Sequence, residues 1–160
     1  METAEVIEFV AVGLALVACV VSDVGRRVIP NRCVAVVMVS RMAYLVASCA
    51  GGGSWVSSLL GATEAFVVLS AAAALSRAAF GTSGVGGGDV KLISALGLCF
   101  GAEWTPVLIL LNSAFVVVTG FFGWAGRDPE ESSQHAVPAA PAITLAAAVT
   151  LALAFRVKQL

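Results

Sequence analysis

Charge is scarce in this sequence. Only 12% of its 160 residues are Asp, Glu, Lys or Arg, about half the share of about 25% usual in soluble domains. The formal net charge is −1, so there is no basic surface of the kind that binds nucleic acid, and no nucleic-acid partner is expected. Histidine occurs once, at His135. One histidine on a polar loop makes neither a metal site nor an arguable Ser-His-Asp set. The four cysteines, Cys19, Cys33, Cys49 and Cys99, lie far apart with no CxxC, which leaves a zinc knuckle or a dithiol redox motif without support. Gly86-Gly87-Gly88 is not followed by Gly-Lys-Ser/Thr, so it is not a phosphate loop. Neither a cofactor nor a metal is expected. No Lys or Arg precedes the first apolar run, whereas a cleavable signal peptide wants a positive start. That run is expected to stay as a transmembrane helix.

What is abundant is apolar sequence: 59% of the residues are hydrophobic, with a mean hydropathy of +0.98. A core formed by one chain of this length cannot hide so much apolar surface from water, and lipid is the natural solvent for the excess. The chain reads as a single all-α domain, residues 1–160, folded as a polytopic membrane helical bundle. Six transmembrane helices are expected, near residues 6–21, 33–50, 54–76, 89–101, 105–124 and 137–155. The fourth is short, about 18 Å at 1.5 Å per residue against a bilayer core of about 30 Å. Six Lys and Arg lie in the breaks 22–32, 77–91 and 125–136, and only Arg156 and Lys158 lie in the other set of breaks and tails. The positive-inside rule then puts both termini outside and the three basic loops in the cytoplasm.

Two charges fall inside apolar helices. Arg41 lies 11 residues before Gly52, and Glu64 lies 12 residues after it. An antiparallel hairpin turning near Gly52 would place them at similar depth, and intramembrane charges usually pair. A structural Arg41–Glu64 ion pair is the expectation.

Two acids end up on the same membrane face. Asp23 closes the first helix and Asp89 opens the fourth, and both ends face the cytoplasm in this topology. Asp89 follows Gly86, Gly87 and Gly88, a run that lets other backbone come close. Around Asp23 the chain reads Asp23-Val24-Gly25-Arg26-Arg27-Val28-Ile29-Pro30-Asn31, the pattern D-x5-I-P-N. Around Asp89 it reads Gly86-Gly87-Gly88-Asp89-Val90-Lys91, which contains G-x-G-D-x-K. Pro138 and Pro141 mark the start of the last helix.

In this order and spacing, the motifs resemble those of the type IV prepilin peptidases, the GxGD aspartic proteases of prokaryotes. The resemblance covers nearly the whole chain and is nearest to the short members associated with tight-adherence pilus systems. The long N-terminal insertion of the bifunctional enzymes, with its paired CxxC zinc motif, has no counterpart here, so the resemblance does not extend to N-methylation. It implies a membrane aspartic endopeptidase in the cytoplasmic membrane. Asp23 and Asp89 would be catalytic, with Gly86, Gly88, Lys91, Ile29, Pro30 and Asn31 supporting the site. The implied substrate is a prepilin or pseudopilin precursor, cut behind its basic leader, and the implied partners are the lipid bilayer and a pilus or type II secretion-like assembly machinery.

Hydrolysis by such a pair needs one carboxylate to take a proton from water and one carboxylic acid to polarise the scissile carbonyl. Asp89 at a helix N-terminus and Asp23 at a helix C-terminus suggest Asp89 as the base, since the helix dipole favours negative charge at the N-terminal end. Asn31 is read as an N-cap and Lys91 as a structural member of its motif. Asp128, Glu130 and Glu131 read as a solvated loop. Intramembrane acids also mark ion pathways, so a small proton-coupled transporter is the competing reading, with a non-catalytic secretion-system subunit as a third. Neither an inverted repeat nor a midplane position of the two acids supports a carrier.

Overall fold

A computed structural model describes residues 3–26, 29–48, 52–81, 86–125 and 140–158. Among these the protein is all-α, with five helical elements: α1 (Thr3–Arg26), α2 (Asn31–Ala47), α3 (Gly52–Phe80), α4 (Gly87–Ala125) and α5 (Ala140–Lys158). Arg27, His135, the loop acids Asp128, Glu130 and Glu131, and Pro138 lie outside the described residues. Four of the helices, α1, α3, α4 and α5, are long and apolar enough to cross a membrane. The fifth, α2, has 17 residues and would reach about 26 Å.

The expected fourth and fifth helices form one element, α4, interrupted at Gly101 (φ 72°, ψ 175°). That backbone is left-handed, which glycine adopts without the steric cost a Cβ would bring. The interruption is a sharp bend. Residues eight apart in a straight helix are about 12 Å apart along its axis, yet the Thr105 hydroxyl lies 3.5 Å from the Gly97 carbonyl oxygen. Two arms result, 87–100 and 102–125, and the break between them falls where the sequence placed it, between the expected fourth and fifth helices. Ser57 of α3 seals the bend, its hydroxyl oxygen accepting the Ala102 N–H at 3.3 Å. The Thr105 hydroxyl donates to the Gly101 carbonyl at 2.7 Å.

Helices α3 and α4 pack at a glycine pair. A Cβ on Gly97 would fall 2.6 Å from the Gly61 carbonyl oxygen, and one on Gly61 would strike the Gly97 carbonyl in return. Small residues let backbones approach where lipid leaves dispersion as the main force between helices. The first arm of α4 is central to the bundle: Leu92, Ile93, Ala95, Leu96 and Leu98 are all buried. Around it pack α1 (Ala15, Leu16, Cys19), α2 (Val34, Val37), α3 (Ala65, Leu69) and α5 (Ile143, Ala146). On α1 the opposite face carries Ile7, Leu14 and Val21, each about two-thirds exposed. That apolar outer face suits lipid and would be costly in water.

The expected Arg41–Glu64 pair does not form. Arg41 pairs with Glu8 of α1 at 3.4 Å. Its guanidinium also donates to the Ser58 hydroxyl of α3 at 3.0 and 3.3 Å and lies 5.2 Å from the centre of the Tyr44 ring. Ser58, not Glu64, is the α3 residue facing Arg41. Glu64 lies six residues further on, about 9 Å along the helix and about 120° round it. Equal depth was therefore insufficient, because α2 packs on α1 and α4 and meets α3 mainly through Arg41.

Candidate active site

Asp23 lies in the last turn of α1 and is buried, 7% exposed. Its Oδ2 accepts the backbone N–H of Ala140 at 2.9 Å. Ala140 opens α5, and the first amides of a helix have no partner within it. Pro141 has no N–H to offer, so Asp23 satisfies one of the few free donors of that turn. An acid at the end of one helix thus caps the start of another.

Asp89 is the third residue of α4, and Gly86 stands at the N-cap position just before the helix. The Asp89 Oδ2 accepts the Gly86 N–H at 3.2 Å, while the Gly86 carbonyl accepts the N–H of Asp89 at 3.1 Å and of Val90 at 3.2 Å. The carboxylate reaching back to the N-cap amide is one half of a capping box. A Cβ on Gly86 would sit 2.9 Å from the Asp89 Oδ2, so only glycine leaves that carboxylate in place.

The two motifs interlock. A Cβ on Gly88 would lie 3.2 Å from the Cβ of Ile29, so the glycine lets the segment after α1 lie against the first turn of α4. One turn further, the Lys91 ammonium lies 3.5 Å from the Asn31 side-chain oxygen. Asn31 is the first residue of α2 rather than its N-cap. Pro30 holds the cap position, without a side-chain hydrogen bond, at an extended φ of −67° and ψ of 129°. Its carbonyl accepts the Cys33 N–H at 3.0 Å. The Asn31 side chain is therefore left to receive Lys91.

These contacts place Asp23 and Asp89 at the same end of the bundle, where α1 ends and α2, α4 and α5 begin. Both acids face a helix N-terminus, Asp89 that of α4 and Asp23 that of α5. The contrast drawn from sequence, one acid at a favourable helix end and one at an unfavourable end, therefore disappears. Among the described residues no cluster of three His, Cys, Asp or Glu could hold a metal ion.

Sequence reasoning passed over Glu8. It is 5% exposed and is the ion-pair partner of Arg41. A signal was present: Glu8, Ala15, Cys19 and Asp23 are spaced seven, four and four residues apart, the spacing of one helix face, and all four are buried.

Fold and site together define an apolar helical bundle with a carboxylate pair at one end. The family pattern described as the type IV leader peptidase family matches residues 10–121. The chain is 33% identical over 137 residues to a prepilin leader peptidase/N-methyltransferase of Bacillus subtilis (strain 168), covering 80% of this chain and 48% of the relative. It is 35% identical over 66 residues to the protein of the same description from Vibrio cholerae serotype O1, covering 41% of this chain and 26% of the relative. The chain thus spans less than half the length of either relative. No solved structure matches. The chain belongs to the type IV leader peptidase family, and with its four long apolar helices it is a multi-pass membrane protein.

Proposed function

We propose that this protein is a membrane aspartic endopeptidase that removes the basic leader from type IV prepilin or pseudopilin precursors at the cytoplasmic face of the cell membrane. The observation that carries the reading is the interlock of the two motifs that hold Asp23 and Asp89, Gly88 on Ile29 and Lys91 on Asn31. Family membership supports the reaction class, and the description of both relatives supports the substrate.

In this reading one carboxyl group is ionised and the other protonated, the division that water activation and carbonyl polarisation require. The ionised partner takes a proton from the attacking water. The protonated partner donates to the scissile carbonyl oxygen and later releases its proton to the leaving amine. Each acid accepts a backbone N–H at a helix N-terminus, so the helix dipoles do not divide the two roles between them. The backbone bonds to Ala140 and Gly86 fix the direction of each carboxyl, and the glycines keep the first turn of α4 slim enough for an extended substrate segment.

The topology completes the reading. Counting the two arms of α4 separately gives six crossings with α1, α2, α3 and α5, and both termini then lie outside. The six Lys and Arg of the loops at the Asp23–Asp89 end support a cytoplasmic site. The precursor's apolar helix would lie in lipid beside the bundle while its leader enters between the acids, and a pilus or secretion assembly would take the product. The test is cleavage of a prepilin by the purified full chain in detergent, run beside Asp23→Ala and Asp89→Ala. Loss of cleavage in both variants, with the fold retained, supports the reading. An intact wild type that never cuts a prepilin sinks it.

A further inference from the structure

At the bundle end opposite Asp23 and Asp89, a cavity of about 550 Å³ lies between α1, α2, α4 and α5. Helices α1 and α5 are pinned at both ends of their contact. Phe9 and Phe155 meet with ring centres 5.6 Å apart, and Asp23 holds Ala140 at the other end. The cavity occupies the stretch between. It runs along α5 from Phe155 to Thr144, eleven residues or about 16 Å. Its depth therefore suits a chain better than a compact ligand. The deeper walls are apolar, with Val12, Leu16, Leu96, Leu151 and Ala147. Val17, which lines the cavity, is itself 58% exposed on α1 beside Leu14 and Val21, so the rim of the cavity reaches the lipid-facing surface.

Such a space does not stay empty. Lining atoms with nothing against them lose their dispersion contacts, so an apolar space open to hydrocarbon is filled by it. Water finds few partners against the deep walls. The surrounding solvent is hydrocarbon, and its chains can enter from the side.

The polar groups gather at one end: Glu5, Glu8, Arg41, Tyr44, Ser48 and Ser54. Arg41 is already engaged by Glu8, Ser58 and the face of Tyr44. Glu5 has no ion pair among the described residues and stands three positions from Glu8 on α1. Two carboxylates against one guanidinium leave one negative charge at the mouth.

We infer that this cavity is a lipid-binding site that takes one acyl chain of a phospholipid whose headgroup carries a primary ammonium, held by Glu5. Its polar mouth lies at the far end of the bundle from the acid pair, its apolar end reaches Thr144, one turn from Ala140, and it is independent of the peptidase reading. It would tie α1 to α5 through a ligand between the Phe9–Phe155 and Asp23–Ala140 contacts.

The test uses the full chain in nanodiscs of phosphatidylcholine doped with a lipid bearing a photoreactive diazirine on its acyl tail. The tail is carried either on phosphatidylethanolamine or on phosphatidylcholine, and labelled peptides are mapped by mass spectrometry. The ethanolamine probe should label the α1 and α5 segments around Leu16 and Leu151 about two- to fivefold more than the choline probe, the range one exposed ion pair supplies. A Cβ on Gly13 would meet nothing within 4 Å, so Gly13→Leu should fill the cavity without a clash. Both Gly13→Leu and the bulkier Ala147→Phe should abolish this labelling while leaving that of Val67 and Leu75 on α3 unchanged. Should Ala147→Phe fail to fold, Gly13→Leu decides alone. Glu5→Gln should make the two probes equal. Cavity labelling that survives filling, or that never exceeds labelling on α3, overturns the site. A headgroup preference that persists in Glu5→Gln overturns the ammonium assignment.

Discussion

The carboxylate of Asp23 accepts the backbone N–H of Ala140 at 2.9 Å, joining residues 117 positions apart. One acid thus has two jobs that can be separated experimentally: it holds the start of α5, and in the proposed reaction it acts with Asp89. Asp23→Asn keeps an oxygen to accept the Ala140 N–H. Its melting temperature should stay near that of the wild type while prepilin cleavage falls by about 10²–10⁴-fold, the contribution of a general acid or base. Asp23→Ala should lose cleavage and about 1 kcal/mol of stability as well, the usual cost of removing a helix cap. Thermal unfolding and cleavage assays on both variants check this, and equal melting temperatures for the two would count against the capping role.

Gly86 and Gly88 should fail for different reasons. Gly86→Ala would place its Cβ 2.9 Å from the Asp89 Oδ2, displacing the carboxylate and lowering kcat with little change in melting temperature. Gly88→Val would press on Ile29, because even the first carbon of a side chain at position 88 would sit 3.2 Å from the Ile29 Cβ. The double variant Gly88→Val/Ile29→Ala should recover part of the activity that Gly88→Val loses. The same Ile29→Ala change should not help Gly86→Ala. Steady-state cleavage kinetics on the four variants check both statements.

The Lys91–Asn31 contact is exposed and long, at 3.5 Å. Removing either partner should cost only about 0.5 kcal/mol, at the low end for a net hydrogen bond. A double-mutant cycle of Lys91→Met and Asn31→Ala should give a coupling of that size in thermal unfolding. A coupling of several kcal/mol would show that the pair does more than join two helix ends.

Glu8 and Arg41 form the buried pair that the sequence assigned to Glu64 and Arg41. Glu8→Leu alone leaves the half-buried Arg41 guanidinium without its carboxylate and should destabilise the bundle by about 2 kcal/mol, below the cost for a fully buried charge. Glu8→Leu/Arg41→Met should be markedly less destabilised than either single change, because no uncompensated charge is left behind. Glu64→Leu should fall well below Glu8→Leu in unfolding experiments. If Glu64→Leu were the more damaging, the pairing seen here would be wrong.

Much of this was legible because it is local. The bend in α4 was visible at Gly101, where a short apolar run ends before Thr105 and Pro106, and glycine is the residue that supplies the left-handed backbone found there. The placement of Asp23 and Asp89 at helix ends was legible too, because a change from apolar to polar sequence marks where a helix leaves the membrane. Hidden were the residues' partners. Equal depth paired Arg41 with Glu64, yet the direction in which Arg41 points depends on how α2 is rotated. Asn31 looked like a cap because its type favours that position, but Pro30 took the position and left Asn31 to Lys91.

By itself the sequence determined that the chain belongs in lipid, where its helices break, and that two acids in two motifs lie at breaks of the same kind. Composition and order along the chain carry that information, since an apolar run needs no partner to define it. Only the tertiary structure decided that Asp23 caps α5, that Gly61 meets Gly97, and that Arg41 chooses Glu8. A membrane helix is apolar on its lipid face and on its packing face alike. Hydropathy therefore cannot say which face turns inward, and that rotation is what brought Asp23 to the start of α5.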